Sequence, residues 1–383
     1  MIKLREIAAL FLKLGFTAFG GPAAHIAMME DEVVKKKKWI THDHFLDLLG
    51  AVNLIPGPNS TEMAIHIGYV KAGWKGLITA GVCFIMPASI ITLILAYFYK
   101  AYGTMASPEA FISGMHPAII AVIFAALYRL SKPKMKNYFM LFVIALVAVL
   151  NLAGIDEVFL LLCTGILGII WELREKIKAS FSTLFSVNIP ALITGLFSTN
   201  NILSAAAEAT SSGIFLFFLK IGIVLYGSGY VLVAYLQGGL VESRHWLTHK
   251  QLLDAIAIGQ FTPGPVLSTA TFIGYQLTGI TGAVSATTAI FLPSFLLILL
   301  IGPFIPRIRK YKAASGFLNG VNAASLGLML SVVLLLAKTT LTSLSSITIF
   351  LLAVILMTIK NVNAIWIILG SAAAGWILFL LKI

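Results

Sequence analysis

Charge is scarce in this chain: 11% of its 383 residues are charged, and the 15 Asp and Glu are outnumbered by 27 Lys and Arg. Soluble domains usually carry about 25% charged residues, so a fold of this size in water would leave much apolar surface exposed and would aggregate. Cysteine is scarcer still. Cys83 and Cys163 lie in different apolar stretches, which gives neither a metal motif nor a disulfide framework. Also missing are a Walker motif, a Gly-rich nucleotide loop and a catalytic triad. ATP hydrolysis is therefore not expected, nor a catalytic residue, a metal or a cofactor. A cleavable signal is not evident: the first apolar run, Ile7 to Met29, follows Lys3 and Arg5, lacks a convincing cleavage site and is expected to be retained.

What is abundant is apolar. Hydrophobic residues make up 59% of the chain, mean hydropathy is +0.97, and apolar runs of membrane-spanning length recur from end to end. The expected fold is an all-α polytopic membrane protein. The net charge of +12 falls mostly in short loops: Lys35 to Lys38, Arg129 to Lys136, Arg174 to Lys178 and Arg307 to Lys312. That is the placement of cytoplasmic loops facing anionic lipid, not of a nucleic-acid surface. The lipid bilayer is the expected partner, and no nucleic acid is.

The chain repeats itself. A shift of 207 residues places Phe11-Leu12-Lys13-Leu14-Gly15 on Phe218-Leu219-Lys220-Ile221-Gly222 and Trp39-Ile40-Thr41-His42 on Trp246-Leu247-Thr248-His249. Asp47 lands on Asp254, and Pro56-Gly57-Pro58 lands on Pro263-Gly264-Pro265 without a gap. Of the 48 positions from Phe11 to Pro58, 15 are identical, which marks a duplication. After a one-residue deletion, Gly68-Tyr69 matches Gly274-Tyr275 and Pro87 matches Pro293. Lys71, Lys75 and the Arg129 loop have largely uncharged counterparts in the second copy, whereas Arg307 to Lys312 matches a stretch holding only Lys100. Basic loops thus change sides between copies, as an inverted-topology repeat predicts.

The expected organisation is a first membrane half over 1–180, a linker over 181–210 and a second membrane half over 211–383. The moderately apolar stretch Leu184 to Ala207 could supply the extra crossing that inversion needs. In each half two broken or re-entrant segments come first: Ile7 to Met29 and Phe45 to Val70, then Gly213 to Gln237 and Leu252 to Tyr275. Ordinary spans follow at Trp74 to Tyr99, Ala110 to Tyr128, Tyr138 to Leu152 and Glu157 to Trp171. Their second-half counterparts are Ile280 to Pro303, Gly316 to Ala337, Ser343 to Met357 and Ala364 to Leu381.

A Pro-Gly-Pro break inside a membrane segment frees backbone groups, and a helix starting after it offers unpaired N–H donors and a positive dipole end. Pro56, Gly57 and Pro58, and Pro263, Gly264 and Pro265, are therefore candidate anion-binding positions. Polar residues flank both breaks: Asn53, Asn59, Ser60 and Thr61 in the first copy, and Gln260, Thr262, Ser268 and Thr269 in the second. The plainer reading of each break is a packed Pro kink. Gly20-Gly21-Pro22 and Gly227-Ser228-Gly229 are a further duplicated break, with Gly20, Gly21 and Gly227 allowing close backbone approach.

Lys13 and Lys220, each set in an apolar run, are expected to be buried cations suited to a dianion; the alternative is an interfacial Lys at each segment's start. His25, Glu62 and His66 occur in the first copy only. Glu62 and His66 stand four apart on one helix face and form a candidate proton-coupling pair, against a capping carboxylate and a core histidine. The Trp-x-Thr-His motifs read as structural, and Asp47 and Asp254 are expected near the entrance of the helices that follow.

At these motifs the chain resembles the chromate ion transporter family, whose long members also contain two homologous halves. The resemblance rests on Phe19-Gly20-Gly21-Pro22-Ala23-Ala24-His25, on Leu54 to Glu62 with Gly68-Tyr69, and on Thr262 to Pro265, and it spans nearly the whole chain. It implies a bacterial-type inner-membrane protein that exports chromate, driven by the proton motive force. Sulfate is a similar tetrahedral dianion and stays open as substrate. So do an anion channel and an intramembrane enzyme using His25, Glu62 and His66, whose spacing matches no zinc signature. A homodimer is also left open.

Overall fold

The computed structural model describes residues 4–19, 21–52, 55–103, 105–132, 137–180, 209–226, 229–302, 311–360 and 362–380. The proposed extra span at Leu184 to Ala207 lies outside the described residues, as do Gly20, Asn53 and Gly227. Among the described residues there is no strand.

The first copy comprises α1 (Leu4–Thr17), α2 (Gly21–Glu30), a π-helical turn (Asp31–Lys36), α3 (His42–Val52), α4 (Asn59–Tyr102), α5 (Ala106–Ser131), α6 (Tyr138–Leu152) and α7 (Glu157–Ser180). The second comprises α8 (Ser211–Val224), a 3-10 turn (Gly229–Val231) running into α9 (Leu232–Leu236), a π-helical turn (Gln237–Ser243) and α10 (His249–Phe261). A second 3-10 turn (Val266–Ser268), α11 (Thr269–Thr278), α12 (Ile280–Ile301), α13 (Lys312–Thr340), α14 (Leu344–Thr358) and α15 (Ala364–Leu380) complete it.

The broken segments are broken where expected. At 1.5 Å per residue, the 11 residues of α3 and the 13 of α10 reach about half of a 30 Å hydrocarbon core. A turn residue in each copy then folds the chain back on itself. Gly73 (φ 59°, ψ −149°) interrupts α4, and Gly279 (φ 73°, ψ −148°) separates α11 from α12. Both conformations are closed to residues with a Cβ. The arms on either side pack through glycine: Gly68 lies against the backbone of Gly76, and Gly274 against that of Gly282.

The first helix of each copy packs the same way. Gly15 of α1 lies against Pro87 of α4, and Gly222 of α8 lies against Pro293 of α12. In the Trp-x-Thr-His motifs the threonines cap the helices that follow. Thr248 closes a capping box with Gln251, Thr41 accepts from the His44 amide at 3.2 Å, and Trp39 and Trp246 carry Lys37 and Arg244 over their rings.

Among the described residues four helices are long and apolar enough to cross a membrane, over Asn59–Tyr102, Glu109–Ser131, Ile280–Leu300 and Lys312–Thr340. Four more apolar helices among them are shorter. Ile78, Val82, Met86, Ile90, Ile94 and Phe98 line one exposed stripe of α4 at four-residue spacing, a face that water would not tolerate and lipid does. This is a multi-pass membrane protein. Its main core crosses between copies, bringing Ile119 and Val122 of α5 into one cluster with Leu253 and Ile256 of α10.

Candidate functional site

The two Pro-Gly-Pro loops seal each other's halves. The Gly57 amide donates to the Leu225 carbonyl at 2.6 Å, and the Gly264 amide donates to the Ala18 carbonyl at 2.8 Å. Leu225 and Ala18 are related by the same 207-residue shift as the two glycines, and they stand just past the ends of α8 and α1. Each loop therefore satisfies a carbonyl left open at the break in the other copy's first helix, as buried backbone requires. Gly57 and Gly264 are candidate anion-binding positions from sequence; in the structure their own amides are taken by these protein carbonyls.

Past the loops the copies diverge. In the first, α4 begins at Asn59, and the Thr61 and Glu62 amides bond back to the Pro58 carbonyl at 2.8 and 3.0 Å. In the second, the Val266–Ser268 turn intervenes before α11.

Around the first loop the structure gathers Ser60, Thr61 and Glu62, all buried, with His25 of α2 and Ser294 of α12. His25 Nδ1 lies 3.4 Å from Ser60 Oγ, and its ring meets Phe84 edge-on at 5.8 Å. Ser294 Oγ donates to Glu62 Oε1 at 3.3 Å. Glu62 Oε2 and Thr61 Oγ1 are buried with no hydrogen-bond partner, a state that costs several kcal/mol per polar group away from water. Gly57 makes this arrangement possible: a Cβ there would run into Glu62 Oε1 and Ser294 Oγ. His66 is also buried, with Nδ1 unpartnered. It shares a face with Glu62 without bonding to it, and its Nε2 faces Gly302 at the end of α12.

Around the second loop lies a cluster of neutral hydroxyls. Thr92 Oγ1 of α4 lies 3.2 Å from Ser268 Oγ and 3.4 Å from Thr262 Oγ1. Thr269 Oγ1 donates to the Val266 carbonyl at 2.8 Å, and Gln260 is buried with its Nε2 unpartnered. Pro263 and Pro265 are buried beside them. Gly21 (φ 80°) sits under the Tyr230 hydroxyl, so the first copy's other break faces the second copy.

The lysines are not where burial was expected. Lys13 Nζ donates to Glu32 Oε1 at 2.8 Å with its side chain 59% exposed. Lys220 Nζ lies 3.8 Å from Asp156 Oδ2 with 56% exposure. Each long stem lets the ammonium reach the surface of its helix and an acid there, so neither is a buried cation beside the breaks. Around Glu32, hydrogen bonds from Lys13 and then Lys36 outweigh partial burial and hold the carboxyl below the ordinary carboxylate range. Among the described residues no group of three His, Cys, Asp or Glu could hold a metal.

Sequence reasoning missed Thr92, Ser294 and the buried cluster that Tyr99 and His116 form with Asp254. Ser294 follows the duplicated Pro293, and His116 is an ionisable residue inside an apolar span, each a usable signal. Asp254 does stand in the first half of α10, but it is fully buried, whereas its counterpart Asp47 is exposed.

A family model described as chromate transporter matches residues 5–169 and 212–376, two blocks separated by the 207-residue shift. A chromate transport protein of Cupriavidus metallidurans is 32% identical over 98% of this chain and 93% of its own length. One of Pseudomonas aeruginosa is 30% identical over 98% and 92%, and a probable chromate transport protein of Synechococcus elongatus is 31% identical over 92% and 89%. No solved structure matches. The family is one of transporters, not enzymes. Its model matches both copies in the register of the internal repeat, so the chain belongs to the chromate transporter family.

Proposed function

We propose that this chain is a secondary transporter that exports a tetrahedral oxyanion, chromate first, across the inner membrane at the expense of the proton motive force. The observation that carries the reading is Glu62, fully buried at a helix start with one carboxylate oxygen unpartnered and Ser60, Thr61 and Ser294 around it. A carboxylate held this way is stable when protonated or when a cation or donor reaches it, which suits a group that exchanges a proton during a cycle. The oxyanion is met by the hydroxyls and the helix start: Asn59, Ser60 and Thr61 on one side, and Thr262, Ser268 and Gln260, joined by Thr92, on the other. His25 stands beside Ser60 and His66 one turn beyond Glu62 on the same helix. The two halves are an inverted repeat; the reciprocal bonds Gly57 to Leu225 and Gly264 to Ala18 support a two-fold relation between them. The names of the relatives supply chromate.

Purified protein in proteoliposomes should show saturable chromate flux that a pH gradient accelerates, with sulfate as the competing dianion. Absence of saturable flux of either anion sinks the reading, and conductance far above carrier turnover without proton coupling replaces it with a channel. Ser60→Ala should weaken apparent anion affinity by about tenfold, the loss of one charge-assisted hydrogen bond. Glu62→Gln should keep exchange of chromate for chromate and lose acceleration by the gradient.

A further inference from the structure

A second buried titratable group lies away from the Pro-Gly-Pro breaks. Asp254 of α10 is 1% exposed, and both carboxylate oxygens are engaged by the first copy. Tyr99 Oη of α4 donates to Oδ2 at 2.6 Å, and His116 Nε2 of α5 lies 2.6 Å from Oδ1. His116 is nearly as buried as the carboxylate. Tyr99 is only half-buried and forms part of the wall of a recess shared with Leu247, Gln251, Phe272 and Gln276. The cluster therefore reaches from that recess into the contact between the two halves.

The charges around it do not neutralise it. Lys250, one turn before Asp254 on α10, pairs with Glu109, two turns before His116 on α5, and that surface pair cancels itself. Lys100 of α4 lies over the Tyr275 ring of α11, 5.7 Å from its centroid. His249 of α10 bonds to Gln237. The part of α15 that packs on α5 carries no titratable residue. Within the cluster, then, His116 alone can compensate the carboxylate.

We propose that Asp254, His116 and Tyr99 form a proton-binding site that couples the two halves of the transporter. With neutral His116 donating Nε2–H to Oδ1, the cluster carries one buried negative charge. One proton taken up at the imidazole converts the same bond into a neutral carboxylate–imidazolium pair, and its release restores the lone charge. A lone buried charge is costly and a hydrogen-bonded pair is tolerated, so the protonated cluster holds α4 and α5 against α10, and the deprotonated one favours their separation. Because α10 leads directly into Pro263-Gly264-Pro265, that separation reaches the loop that closes on Ala18. The inference rests on the proton-coupled reading above and assigns it a site distinct from Glu62.

The test uses the full-length protein in proteoliposomes, comparing chromate exchange without a gradient with accumulation driven by a pH gradient. Asp254→Asn is expected to keep exchange within about threefold of the parent and to lose gradient-driven accumulation by about tenfold or more, the signature of a lost intramembrane relay. His116→Gln keeps an N–H donor for Oδ1 but cannot become a cation, and it should show the same split even if Asp254→Asn folds poorly. Gradient-driven accumulation retained in His116→Gln overturns the proposal, and so does equal loss of exchange and accumulation in a variant of normal thermal stability. A parent protein whose flux ignores the pH gradient refutes proton coupling itself. A coupled parent with a coupled His116→Gln variant refutes only this site.

Discussion

Glu32 and Glu62 show how one residue type takes two roles in one chain. Glu62 is enclosed at a helix start with a single hydroxyl donor, Ser294, whereas Glu32 stands at the end of the broken segment between Lys13 and Lys36. Those two ammoniums lower the Glu32 pKa from its ordinary value of 4.5. A carboxyl with a depressed folded pKa stabilises the fold fully above its unfolded value and loses that contribution as pH falls through the folded value. The thermal stability of the parent in detergent should therefore exceed that of Glu32→Gln at neutral pH, and the gap should close as pH drops below about 4.5. A gap that stays constant with pH would mean that Glu32 acts by packing alone. The pairing also bears on the two readings of Lys13, buried cation or interfacial Lys: its side chain is 59% exposed, and its acid partner lies 19 residues away, on a turn whose direction no local pattern specifies.

At the scale of elements, the doubled-back arms depend on glycine contact as much as on apolar burial. Among membrane helices packing replaces the hydrophobic effect as the main attraction, and small residues let backbones approach. A Cβ on Gly68 would stand 2.6 Å from the Ala80 Cβ and would also strike the Gly76 carbonyl. Gly68→Val should destabilise the hairpin at Gly73 by about 1–3 kcal/mol, the usual cost of overpacking. It should appear as a lower unfolding temperature and faster proteolysis between Lys71 and Lys75; an unchanged unfolding temperature would mean that the arms separate at little cost. The existence and type of most elements were legible from hydropathy, Pro and Gly, and Tyr138–Leu152 agrees at both ends. The π-helical turns at Asp31–Lys36 and Gln237–Ser243 were not, because a π-helix differs from an α-helix in hydrogen-bond register and not in apolar period.

For the whole molecule, the reciprocal loop bonds and a buried core shared between copies join the two halves. Fragments 1–180 and 211–383 expressed together should co-purify and restore chromate flux, while either alone should do neither. Transport by one fragment alone would show that the closure of each loop on the other half is dispensable.

The sequence by itself determined the membrane class, the duplication, the positions of the breaks and the asymmetry that leaves Glu62, His66 and His25 in one copy, because composition, period and Gly/Pro punctuation are local quantities. Only the tertiary structure decided which groups the breaks meet. It gave the loop amides to carbonyls of the opposite copy, set Ser294 on Glu62 and Thr92 on Ser268, drew Lys13 to the buried Glu32 and Lys220 to the exposed Asp156, and buried Asp254 while exposing Asp47. The physical reason is that each contact joins residues from different helices, often from different copies. Such pairings follow from how helices pack in a medium where every polar group must find a partner within the protein. The pattern along any single helix does not contain that information.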